Sequence, residues 1–76
     1  MKNVQREIGS KYGNNSTWTF CQADENGKDV SRKAHVEKVC NGVYAVTLWD
    51  GGNMVSSTDF ADIFSAFDAA RAYAWA

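Results

Sequence analysis

Cys21, His35 and Cys40 are the only cysteines and histidine among the 76 residues. A thiol beside an imidazole makes an activated nucleophile when the two are within hydrogen-bond reach and a third group orients the ring. Two thiols form a disulfide when their Cα atoms lie within about 7 Å. No Cys-x-x-Cys spacing occurs, so neither a redox pair nor a zinc knuckle is signalled. Asp50-Gly51-Gly52-Asn53 offers oxygen donors and glycines. It lacks the spacing of a calcium loop, and neither a helix nor Gly-Lys-Ser/Thr follows as in a phosphate loop. A hairpin turn is the reading that fits it.

Whether these groups can meet depends on the elements that carry them. Residues 16–23, STWTFCQA, are rich in strand formers and alternate. Trp18 and Phe20 share one face, and Thr17, Thr19 and Cys21 the other. A turn follows at residues 24–28, then a strand over roughly 30–39. A three-residue loop Glu25-Asn26-Gly27, with glycine in the left-handed region, sets Trp18 opposite Ala34 and Phe20 opposite Arg32. Cys40-Asn41-Gly42 as a second such loop sets Val36 opposite Val46 and Ala34 opposite Leu48. One face then holds Trp18, Phe20, Ala34, Val36, Tyr44, Val46 and Leu48. The other holds Thr17, Thr19, Cys21, Lys33, His35, Glu37, Ala45, Thr47 and Trp49, as on the wet side of an antiparallel sheet. The third turn, at Asp50-Gly51-Gly52-Asn53, leaves the register of the next strand open, and that strand ends near Ser57-Thr58.

The last segment reads as a helix. Ser65-Ala66-Phe67-Asp68 is a Ser-x-x-acid start signal, and Thr58 or Asp59 offers an earlier one. Phe60, Ile63, Phe64, Phe67, Ala70 and Ala74 form a three/four-spaced apolar stripe. The expected fold is α+β: a four-stranded antiparallel meander with one C-terminal helix packed on one face, forming a single domain over residues 16–76. Residues 1–15 read as a polar N-terminal arm or a short extra element.

This frame disarms the reactive groups. Cys21 and His35 share a face but stand two residue pairs apart, on a surface with no water-excluding pocket. Cys21 and Cys40 fall on opposite faces, so two free thiols are expected. The chain is expected to be no enzyme and to need no cofactor and no metal. What remains is binding. The open face and its rim offer Trp49, His35, Lys33, Glu37 and Asp50, with Trp49 as the aromatic anchor. A second candidate surface comes from charge. Residues 1–40 carry seven Lys or Arg against five Asp or Glu, whereas residues 41–76 carry one Arg against four Asp. Asp59, Asp62 and Asp68, with Asp50, could face a basic partner. The overall charge of −1 and the single open aromatic argue against direct nucleic-acid binding, which uses a cationic surface and several stacking rings. Single-stranded nucleic acid on the open face stays as an alternative. So does a homodimer built on edge strands or on the helix end at Tyr73 and Trp75.

In length, acidity and coarse plan the chain resembles the small inhibitor proteins of phages and mobile elements, anti-CRISPR proteins among them. The segments VYAVTLWDGG and FSAFDAARAYA also look like those of short bacterial ββα proteins. The resemblance implies a stoichiometric inhibitor that covers a surface of a host nucleoprotein complex. It assigns no residues. The start of the chain has no apolar signal region, and no run of about 18 apolar residues occurs, so the expected setting is the cytoplasm of the host cell, away from membranes.

Overall fold

The computed structural model describes residues 3–12 and 15–76. The fold is α+β, with five antiparallel strands rather than four. They are β1 (Val4–Tyr12), β2 (Asn15–Ala23), β3 (Arg32–Cys40), β4 (Val43–Asp50) and β5 (Asn53–Phe60), in the spatial order of the sequence, followed by α1 (Ile63–Ala74). The additional strand is β1. It lies inside the segment read as a polar arm or a short extra element, and pairs with β2 along its whole length, Val4 opposite Ala23 and Tyr12 opposite Asn15. Its sequence hides it. Val4 and Ile8 point to the open face with Arg6 between them, while the covered side carries Gln5, Glu7 and Gly9. The Trp18 indole lies over Gly9, where a Cβ would stand 3.5 Å from Trp18 Cδ1, an ordinary contact. The expectation for residues 1, 2, 13 and 14 lies outside the described residues.

The β3–β4 register is the expected one, with Ala34 opposite Leu48 and Val36 opposite Val46. The β2–β3 register begins as expected and then slips by two. The turn closes through Asp24 N–H to the Lys28 carbonyl (2.8 Å) and Gly27 N–H to the Asp24 carbonyl (2.9 Å), with Gly27 at φ +80°. Val30 N–H still reaches the Gln22 carbonyl at 2.8 Å. Beyond it Phe20 faces Ala34, not Arg32, and Trp18 faces Val36, not Ala34. Two competing partners explain the slip. The Ser31 carbonyl accepts the Gly51 N–H at 3.0 Å, and the Trp75 indole N–H takes the Cys21 carbonyl at 2.9 Å. A shift by two preserves the faces, so the predicted covered set stands. Arg32 moves to the rim, its guanidinium 5.5 Å above the Tyr73 ring.

Helix α1 crosses β2, β3, β4 and β5 on one side. Ala66, Ala70 and Ala74 are buried against Phe20, Ala34, Val36 and Val46. Phe67 packs edge-on to Trp18 at 5.1 Å and to Phe20 at 5.2 Å, and Trp75 to Phe20 at 5.5 Å. Phe64, part of the expected stripe, is 78 % exposed, and Phe60 belongs to β5. Gln22 is buried but satisfied, its amide donating to the carbonyls of Ala74 (2.9 Å) and Ala76 (3.3 Å). Among the described residues no helix is long and apolar enough to cross a membrane.

The helix starts at Asp62, not at Ser65 or Thr58. The Asp62 carboxylate accepts the Ser65 N–H (2.8 Å) and the Ser65 hydroxyl (2.9 Å). The Ser65 N–H, followed by its hydroxyl, holds the Asp62 carboxyl below its ordinary value of 3.8. A carboxyl lowered on folding favours the folded state above its unfolded value, and that contribution disappears as pH falls through the lowered value. Asp62→Asn keeps an acceptor but not the charge. The gap between the wild-type and Asp62→Asn melting temperatures is therefore expected to close on acidification below about pH 4. A gap that stays constant from neutral pH to pH 2 would refute it.

Candidate functional site

The sheet face opposite α1 has no element packed on it among the described residues. Alternation and register arrange it in rows across the strands. One row runs Ile8, Thr19, His35, Thr47, Ser57. On one side of it lies Lys33, Trp49, Met54, and on the other Thr17, Glu37, Ala45, Asp59. Successive rows are about 6.8 Å apart, two residues along a strand.

At the Trp49 end the face dips into an open hollow of about 440 Å³. Thr19, Lys33 and His35 form its floor, Asp29-Val30-Ser31 one wall, and Trp49 with Gly51-Gly52 the other. The wall is held in place by bonds already described. Val30 is tied to Gln22 of β2, and Ser31 to Gly51 of the β4–β5 turn. Both turn glycines have positive φ, +60° and +87°, as a two-residue primed hairpin turn requires. The His35 Nδ1 and the Thr19 hydroxyl lie 3.1 Å apart in a hydrogen bond, which fixes the ring in the floor. Asp29 accepts from two cations, Lys33 at 3.1 Å and Arg6 at 3.4 Å, all three side chains being about half exposed.

The β4–β5 pairing shifts between Leu48 and Trp49, so Met54 and Val55 together oppose Trp49. Such a bulge re-aims side chains at a sheet edge. Here Trp49 is 36 % exposed, Met54 61 % and Val55 56 %. Trp49 lines the hollow, and Met54 and Val55 lie opposite it on β5. The sequence left the orientation of Met54 and Val55 open, because a two-residue turn plus a bulge looks the same as a longer loop.

The structure gathers Trp49, His35 and Lys33 into one site. Glu37 stands on the same face two residues further along β3. Asp50 pairs with Arg32 and Asn53 at the mouth of the turn, alternating away from Trp49. The acidic candidates are dispersed. Asp59 pairs with Ala45 on the open face, Asp62 caps α1, and Asp68 is on the helix within 3.7 Å of Arg71. Arg71 also reaches Glu7 at 3.7 Å and lies over the rings of Phe20, Phe67 and Trp75. Sequence reasoning missed Asp29 as a site residue. Its position four before Lys33 becomes meaningful only once β3 is known to start at Arg32.

The reactive groups stay apart. Cys21 is buried, Cys40 is exposed, and both thiols are free. His35 is engaged by a threonine, not by a thiol. Among the described residues no three His, Cys, Asp or Glu side chains converge as metal ligands. Comparison of the chain with protein-family models, with curated proteins and with solved structures gives no match.

Proposed function

We propose that this protein is a non-enzymatic protein-binding module that docks its partner on the open sheet face, around Trp49. The observation that carries the reading is Trp49, partly exposed and lining a 440 Å³ hollow with His35 and Lys33, with the exposed Met54 and Val55 opposite it on β5. Contiguous exposed apolar surface rimmed by polar groups marks interaction sites, and a tryptophan beside a pocket is a typical anchor. The small size and the acid-leaning composition, which resemble those of phage-type inhibitors, support a host nucleoprotein complex as the partner. The action is then stoichiometric, in the host cytoplasm, covering a surface that the complex needs.

The test is capture of a partner from host lysate by tagged protein, with nuclease treatment. A nuclease-resistant stoichiometric complex is expected with wild type and is lost with Met54→Glu. Met54 is mostly exposed, so this change is expected to leave stability within about 0.5 kcal/mol. Trp49→Ala is expected to abolish capture too, with some loss of stability because most of the indole is covered. Capture by Met54→Glu at wild-type level would overturn the site. Loss of every partner on nuclease treatment would favour single-stranded nucleic acid instead.

A further inference from the structure

The open face is polarised along its strands. Arg6 and Lys33 share the single carboxylate of Asp29 at the hollow end, and Glu37 and Asp59 stand at the other end. Among the described residues Glu37 makes no ion pair. A face with opposite charge at its two ends can be self-complementary under a two-fold rotation, the symmetry of most homodimers.

Of the two in-plane axes through His35 that keep the strands of the two copies aligned, the charges choose one. An axis along the strands would set Lys33 over the partner's Lys33. An axis across the strands, through the row of His35, reverses strand direction and lays each strand over its own copy. The Lys33–Trp49 row then covers the Glu37–Ala45 row of the second copy, and the reverse. Lys33 meets the partner's Glu37. The Trp49 indole meets the partner's Ala45, the smallest residue in its row. One rotation thus supplies both a charge pair and a large-on-small fit, each occurring twice.

The area is of the right order. Five strands about 4.8 Å apart and eight residues at about 3.4 Å each give a face of roughly 24 by 27 Å, or roughly 650 Å² in projection. A standard interface buries about 800 Å² of accessible surface per partner. Threonines and charges make this face more polar than the core of an obligate dimer.

We infer that two copies of this chain associate reversibly face to face through the open sheet, antiparallel, with Lys33 on the partner's Glu37 and Trp49 on the partner's Ala45. The inference rests on the reading of this face as a docking surface and names a second copy as one of its partners. The host partner then binds by displacing the second copy.

Sedimentation equilibrium from about 10 µM to 1 mM tests it. Wild type is expected to shift from monomer toward dimer over that range, less so as salt is raised. Ala45→Arg, a surface change that fills the site of the partner's indole, is expected to weaken association at least about tenfold. In an Asp29→Asn background, which removes the carboxylate that Lys33 holds in its own chain, Lys33→Glu or Glu37→Lys is expected to weaken association at least about tenfold. The two changes together are expected to restore it to within about threefold. Thermal melts of each variant establish that it is folded. A monomer at every concentration overturns the inference and leaves the docking reading to the Met54→Glu capture test. A dimer indifferent to Ala45→Arg also overturns it and moves the contact elsewhere, for example to the β5 edge. Failure of the charge exchange to restore association overturns it as well.

Discussion

Phe20→Ala is expected to cost about 3–5 kcal/mol of stability, most of what a domain of this size has. Phe20 is fully buried at the centre of the core. Its ring touches Phe67 and Trp75 edge-on, lies under the Arg71 guanidinium and stands opposite Ala34. Truncation removes the ring's transfer energy. It also leaves a cavity bounded by two aromatic rings and the sheet, which cannot collapse without moving α1. A urea melt should show the midpoint displaced toward zero denaturant. A midpoint within experimental error of wild type would show that Phe20 is not the core of this sheet.

Ala70→Leu is expected to destabilise by about 1–3 kcal/mol, whereas Phe64→Ala stays within about 0.5 kcal/mol. Polarity scales predict the opposite order, since one change adds apolar surface and the other removes it. The geometry reverses it. Ala66, Ala70 and Ala74 form a buried line four residues apart and let the helix backbone lie close to Ala34 and Val36. Added methylenes at Ala70 push the helix away, while Phe64 projects into solvent. Thermal melts of the two variants side by side check this. The idea fails if Phe64→Ala is the less stable of the two.

That pair also shows which parts of the fold were legible in the sequence. Strict alternation in residues 16–23 and 43–50 identified the covered face, and the match of Val36 with Val46 fixed the β3–β4 register. The helix was legible in type and largely in phase. Phe67, Ala70 and Ala74 of the expected stripe pack on the core, whereas Phe64 is exposed and the buried Ala66 lay outside the stripe. Its start was misread because Asp62-x-x-Ser65 and Ser65-x-x-Asp68 are both acceptable capping patterns, and the bonds to Ser65 decide between them. The slip beyond Val30 depends on Trp75 and Gly51 taking carbonyls from β2 and the β3 approach. No local pattern encodes partners that far along the chain. β1 was missed because its covered side, with Gln5, Glu7 and Gly9, is not apolar; it meets the helix through the Glu7–Arg71 ion pair. At the candidate site, Trp49, His35 and Lys33 followed from alternation alone. Asp29, Met54 and Val55 required the turn and bulge geometry.

The order of elements along the chain has a consequence for how the domain is made. The ribosome delivers the five strands first, and the residues that cover Phe20, Ala34, Val36 and Val46 come from α1 and Trp75, at the far end of the described chain. At about 5–20 residues per second, the last strand is made about a second before the helix that covers the sheet. Its hairpins are local and can pair early, but the structure closes only when Trp75 reaches the Cys21 carbonyl and Gln22 binds the last helical turn. A chain with its strands paired and α1 not yet docked therefore presents a sticky half-sheet, a natural client for chaperones and proteases. Once α1 and Trp75 have docked, that same side is sealed.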